Sequence, residues 1–206
     1  MKLGFIGAGN MAKAMIGGIL KNNIFKPEEV IASDLYEPGL RQAKESLGIH
    51  VTTDNKEVAR TAEVLVLSVK PQFYDAVIKE IKELITETQI IVTIAPGKTL
   101  EYLAGAFAKP VKLVRTMPNT PALVGEGITG VCRNDLVTKE ELDYICNILS
   151  GFGMAQVLSE NLMDVVVSVS GSSPAYVFML IEAMADGAVA DGMPRQQAYQ
   201  FAAQAV

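Results

Sequence analysis

The stretch GFIGAGNMA, residues 4–12, sets Gly7, Gly9 and Ala12 in the GxGxxG/A spacing. An apolar run, Lys2–Gly7, leads into it, and a helical pattern, Met11–Leu20, leads out. In that context the first glycine permits a tight strand-to-helix turn. The second lets backbone approach a pyrophosphate, and a small third residue lets the helix pack on the strand. The alternative is a plain glycine turn, and the downstream chain decides between them.

Beyond residue 20 the chain alternates. Short β-branched runs at Val30–Ser33, near Val51, at Val64–Val69, Ile90–Ile94 and Val111–Thr116 are separated by helical patterns at Pro38–Leu47, Lys56–Ala62, Tyr74–Ile85 and Thr99–Phe107. Such βα alternation builds a parallel sheet covered on both faces. Residues 125–158 add strands at Ile128–Cys132 and Ala155–Leu158 around a helix, Lys139–Leu149, capped by Thr138. They are expected to extend the same sheet. From Leu162 onward only helices fit: Met163–Val167, Pro174–Ala190 and Pro194 to the end. The expected fold is α/β, a Rossmann-like, mostly parallel sheet with helices on both faces, followed by the beginning of an all-helical second domain. The expected division is residues 1–160, binding a dinucleotide, and residues 161–206.

Composition excludes several classes. Half of the 206 residues are hydrophobic and 20% are charged, the balance of a chain that buries a core. A net charge of −5 gives no basic field for nucleic acid or an anionic membrane. Two cysteines, Cys132 and Cys146, and one histidine, His50, make neither a disulfide framework nor a metal site. The amino terminus is no signal peptide, because its apolar run is broken by glycines within a few residues. Ala175–Ile181 is apolar throughout but meets Glu182 and Asp186, short of the ~20 residues a spanning helix needs. No membrane or nucleic-acid partner is expected, and the location is expected to be cytoplasmic.

The loops after the strands are the places for chemistry, because ligands of open α/β sheets sit outside the carboxyl ends of the strands. Asp34 ends the second strand where an acid usually bonds the ribose 2′-OH of NAD, or else is simply an exposed turn acid. It would repel a 2′-phosphate, which Ser33 and Arg41 would partly accept, so this loop leaves the cofactor open between NADH and NADPH. LSVKPQ (67–72) and TIAPGKT (93–99) border the same edge, each stiffened by a proline, and Lys70 either faces the cofactor or solvates the sheet edge. RTMPNTPALVGEG (115–127) brackets Asn119 and Thr120 between prolines, which suits contact with the nicotinamide end or the substrate, or else a simple exit turn. In SGSSPAYVFMLIE (170–182), Ser173 reads as a helix cap and Pro174 as the first helical residue. Free N–H groups near Ser172 and Ser173 would then make a weak anion site on the substrate side. No lysine occurs after Lys139, so the second region lacks the base that deprotonating a hydroxyl demands. A protonated imine needs no such base, and C=N reduction is favoured over C–OH oxidation.

GFIGAGNMA, SVKP (68–71), RTMPNTPALVGEG and SGSSPAYVFMLIEAMADGAVADGMPR (170–195) together resemble, in order and spacing, the pyrroline-5-carboxylate reductase family. The resemblance implies reduction of the cyclic imine 1-pyrroline-5-carboxylate to L-proline, the last step of proline biosynthesis, by hydride from NADPH or NADH. It also implies a homodimer or larger homo-oligomer built on the second-domain helices. By the same resemblance, the cofactor contacts are Ile6, Gly7, Ala8, Gly9, Asn10, Met11, Asp34, Asn55, Ser68, Val69, Lys70, Pro71, Ile94, Ala95 and Pro96. Glu160 matches a family position near bound substrate, and an acid is also favourable at a helix start.

Two departures stand out. Many family members carry Ser or Asn followed by Arg in the second-strand loop, a pair suited to NADPH, whereas Asp34 and Leu35 stand there here. Family members also continue past the last helix into a Pro-Gly-Gly-Thr loop that holds the substrate carboxylate and hydrogen-bonds the imine nitrogen. YQFAAQAV (199–206) stops inside a helical pattern. The expectation is a truncated chain that binds cofactor but is weakly active or inactive, its imine hydrogen-bond donor lying beyond Val206 and no catalytic residue being assigned within it. The competing readings are a β-hydroxyacid dehydrogenase, which would place a catalytic lysine on the long helix after the second-domain glycines, and a non-catalytic NAD(H)-binding module.

Overall fold

The computed structural model describes residues 2–206. In chain order the elements are β1 (Leu3–Ile6), α1 (Asn10–Lys21), β2 (Val30–Ser33), α2 (Glu37–Leu47), β3 (His50–Thr52), α3 (Asn55–Thr61), β4 (Val64–Leu67), α4 (Tyr74–Ile81), β5 (Ile90–Thr93) and α5 (Leu100–Phe107). They continue with β6 (Lys112–Met117), β7 (Gly127–Arg133), α6 (Lys139–Leu149), β8 (Gly153–Val157), α7 (Met163–Val166), α8 (Ser173–Ala190) and α9 (Arg195–Ala205).

All eight strands join one sheet in the order β3-β2-β1-β4-β5-β6-β7-β8. Every pairing is parallel except β6 with β7. The strands β1, β2, β4 and β5 are buried along their whole length, which is why they read as unbroken apolar runs instead of alternating ones. One face is packed by α1, α2 and α6 through Ile16, Ile19, Leu40, Ile145 and Leu149. The other is packed by α3, α4 and α5 through Val58, Tyr74, Ile78, Leu103 and Phe107. Each large apolar side chain buried in this way contributes about 1.5–3 kcal/mol.

Local signals set the helix ends. Thr138 and Glu141 form a reciprocal capping box at α6, and the Thr99 hydroxyl accepts from Tyr102 N–H at α5. The helical pattern expected over Tyr74–Ile85 stops at Ile81 and tightens into a 3-10 turn, Lys82–Leu84.

The largest departure lies after β8. Ser173 does not start a new helix. The α7 helix passes through a π-helical turn, Val167–Gly171, directly into α8, and Ser172 has helical backbone angles. Its N–H donates to the Val167 carbonyl at 3.0 Å, so the free N–H expected there is already used. The helical run therefore extends from Glu160 to Ala190, 31 residues, long and apolar enough by length and composition to cross a membrane. The shorter apolar segment read from the sequence, Ala175–Ile181, is only part of it. Here α8 packs on α9 through Ala185, Ala198 and Ala202, while Tyr176, Phe178, Met179, Leu180 and Met184 are exposed.

Candidate functional site

The strand order reverses between β1 and β4, and a crevice opens there at the carboxyl ends of the strands. Gly7 turns the chain with φ +101°, a backbone that L side chains rarely adopt. A Cβ at Gly7 would lie 2.8 Å from the Ser68 carbonyl and Val69 nitrogen, so the β1 and β4 loops are in contact. The Ser68 hydroxyl secures them, donating to the Gly7 carbonyl at 2.7 Å and the Ile6 carbonyl at 3.1 Å.

Gly9 has the opposite character. Nothing lies within 4 Å of a Cβ built on it. It begins α1, which has no side-chain cap and no acidic residue in its first turn. Open backbone followed by uncapped helix N–H groups fits a pyrophosphate, and the buried Ala12 fills the helix–strand contact. A cavity of about 440 Å³ opens off this turn, lined by Ala8, Gly9, Asn10 and Asp34 together with Lys13, Tyr36, Pro38, Gly39 and Gln42. The Asp34 carboxylate stands at its wall, accepting from Ala8 N–H at 2.8 Å and Tyr36 N–H at 3.0 Å.

The other expected cofactor residues distribute differently. Ile6 and Ala95 are buried, so only their backbone faces a ligand, and Met11, Val69 and Ile94 pack their side chains against the core clusters. Asn55 is committed within the chain: Oδ1 accepts from the Ser33 hydroxyl at 2.8 Å and Nδ2 donates to Glu80 at 2.9 Å. Lys70 is exposed, and Pro71 opens a short 3-10 turn beyond β4. Pro96 sits in the loop after β5, where the next cation, Lys98, stacks over the Tyr102 ring at 3.8 Å.

On the substrate side, Asn119 is nearly buried and bridges three segments. Its Oδ1 accepts from Ile128 N–H at 2.9 Å, and its Nδ2 donates to the Ser170 carbonyl at 3.1 Å. That carbonyl needs an outside donor because the residue four places on is Pro174, which has no N–H. The Ser172 and Ser173 hydroxyls bond back to the Val167 and Val169 carbonyls. They finish the irregular turn themselves.

Glu160 takes two bonds on one oxygen, from Leu100 N–H at 2.8 Å and from Arg115 Nη1 at 3.0 Å. Arg115 is 6% exposed and also approaches the exposed Asp164 at 3.7 Å. Sequence reasoning passed over this arginine, although a charge inside the apolar run Val111–Thr116 calls for a partner. It also passed over the Tyr74 hydroxyl, which joins the Leu67 carbonyl to Thr93 at the ends of β4 and β5. Burial pushes Tyr74 up to about 12, and it stays a neutral donor.

Residues 160–206 match the family described as pyrroline-5-carboxylate reductase dimerisation, and residues 2–97 match the one described as NADP oxidoreductase, coenzyme F420-dependent. Pyrroline-5-carboxylate reductase of Escherichia coli (strain K12) is 45% identical over 205 residues, 100% of this chain and 76% of that one. The chain belongs to the pyrroline-5-carboxylate reductase family. The family member from Methanosarcina acetivorans is 43% identical over the same shares. The crystal structure of the Plasmodium falciparum reductase, with NADP bound, matches at a TM-score of 0.89 and 31% identity, covering 100% of this chain and 75% of that one. Membership in the reductase family agrees with a feature that weighs against a hydroxyacid dehydrogenase: α8 carries Glu182 and Asp186 and no lysine.

Proposed function

We propose that this protein reduces the cyclic imine 1-pyrroline-5-carboxylate to L-proline with NADPH or NADH, the last step of proline biosynthesis. The observation that carries the reading is the open Gly9 backbone and uncapped α1 at the crevice of a chain that is similar to named reductases along its whole length. The residues present fit the dinucleotide. The backbone from Gly7 to Met11 would hold the pyrophosphate, Asp34 the adenosine ribose, and the loops at Ser68–Pro71 and Ile94–Pro96 the path toward the nicotinamide. When bound, the reduced nicotinamide supplies a hydride to the imine carbon.

The protein's own part is to bind, orient and exclude water, with proximity lowering much of the barrier. A protonated imine arrives electrophilic, so the chain needs no strong base, in keeping with the lack of histidine and lysine after Lys139. The wall facing the nicotinamide is assigned to Asn119, Glu160 and the turn at Ser170–Ser173. Their bonds within the chain make Asn119, Ser172 and Ser173 builders of that wall, which presents backbone more than side-chain groups. The division into residues 1–160 for the cofactor and 161–206 for substrate and assembly goes with this reading. So do a cytoplasmic location and a homodimer or higher oligomer, joined through the exposed apolar residues of α8.

The test is pyrroline-5-carboxylate-dependent oxidation of NADH and NADPH by the protein, with cofactor binding measured beside it. Imine-dependent oxidation is expected. Cofactor binding without any turnover of the imine would overturn the assigned reaction.

A further inference from the structure

We propose that Asp34 makes this reductase selective for NADH over NADPH. The inference rests on the reading of the crevice as a dinucleotide site and names its preference. It runs against the cofactor carried by the Plasmodium falciparum relative, and the reason lies in one loop of this chain.

The Asp34 carboxylate is fixed in place. Its two oxygens accept from the N–H groups of Ala8 and Tyr36, the first of which belongs to the glycine turn itself. An ionised carboxylate has about four lone-pair positions. Two are filled, and about two remain for donors arriving from the cavity. The 2′,3′-diol of an NADH ribose brings two hydroxyl donors. A 2′-phosphate brings only acceptors and nearly two negative charges, and the like charge disfavours it.

No arginine is among the described lining residues of the cavity to offset that repulsion. Ser33 is fully buried, and its hydroxyl is donated to Asn55. Arg41 lines a separate depression between α2 and β3, with Lys44 and Thr52, and not the cavity off the glycine turn. The residue after Asp34 is Leu35, apolar and 85% exposed. Lys13 is the one cation among the described lining residues, and its ammonium donates to Gln42 at 2.7 Å. It sits one turn into α1, where it would serve both cofactors alike.

The experiment is a pair of fluorescence titrations of the protein with NADH and NADPH, giving dissociation constants without turnover. NADH is expected to bind at least about tenfold tighter. Asp34→Ser and Asp34→Asn, the second removing charge at nearly constant shape, are expected to bring the ratio to within roughly threefold of unity, mainly by strengthening NADPH. Lys13→Gln is expected to weaken both cofactors by a similar factor. Equal or tighter NADPH binding by the unaltered protein would overturn the selectivity and leave the dinucleotide site standing. So would a loss confined to NADPH in Lys13→Gln. Binding of neither cofactor would remove the site, and the selectivity with it.

Discussion

Replacing Glu160 by alanine tests whether the helical region is anchored on the sheet by an ion pair. The carboxylate is the one well-placed partner of Arg115, which is only 6% exposed, and it also receives the first N–H of α5. Removing one member of a buried pair leaves an uncompensated charge and costs about 3–5 kcal/mol. Glu160 is itself 32% exposed, and Asp164 remains 3.7 Å away, so screening lowers the figure to about 2–3 kcal/mol. For a chain of this size that is a fall of roughly 4–12 °C in midpoint temperature. Urea unfolding followed by circular dichroism at fixed protein concentration would measure it, with the slope checked for constancy.

The converse variant behaves differently. Arg115→Met leaves the carboxylate partly hydrated and still bonded to Leu100, and a loss of about 1 kcal/mol is expected. Because the orphaned arginine is the main penalty, the double variant should be no less stable than Glu160→Ala alone, a coupling of about 1–2 kcal/mol. A Glu160→Ala protein within about 0.5 kcal/mol of the parent, with additive double-variant behaviour, would refute the strut.

Three further outcomes are expected. Gly7→Ala should lose about 2–4 kcal/mol, because φ is +101° and the new Cβ meets Ser68 backbone at 2.8 Å, whereas Gly9→Ala should leave stability within about 0.5 kcal/mol and weaken cofactor binding instead; urea melts and cofactor titrations separate the two. Burial pushes the Cys132 thiol up to about 11, so at pH 8 only about one molecule in a thousand carries the thiolate, and iodoacetamide should spare it until the protein unfolds. The Lys112 ammonium and the Thr138 N–H hold the Glu141 carboxyl below its ordinary value. A lowered folded value means stability present above the unfolded value of about 4.3 and lost as pH falls through the folded one. Glu141→Gln should therefore cost about 1 kcal/mol at pH 7, a deficit that shrinks in a melt series as pH falls below the ordinary carboxyl value and closes only below the lowered one.

Most of the sheet was legible because its central strands are buried on both faces and α3, α5 and α6 are capped by short-range signals. Val30–Ser33 and Lys139–Leu149 form as the residues suggest, since burial and the Thr138–Glu141 box act within a few positions. The turn at Ser170–Ser173 was not legible. Ser-Ser-Pro looks like a helix start, but the Ser172 N–H bonds back to the Val167 carbonyl and the Ser170 carbonyl is met by an amide from Asn119, far away along the chain. Arg115 was missed for the related reason that its partner, Glu160, lies across the fold. At the cofactor crevice the glycines could be read by spacing. The commitment of Ser33 to Asn55 could not, because it depends on how β2 and α3 meet.

The bridge from Asn119 to the Ser170 carbonyl ties the fate of two positions that are remote along the chain. Asn119 supplies a hydrogen bond that Pro174 cannot make, so its value is conditional on the proline. In a lineage where position 174 gained a residue with an N–H, the carbonyl would have a partner inside its own helix, and position 119 would be released to drift. The reverse order of change would leave a partly buried carbonyl without its amide partner and be selected against. Related sequences should therefore show the two substitutions in a fixed historical order, the proline yielding first.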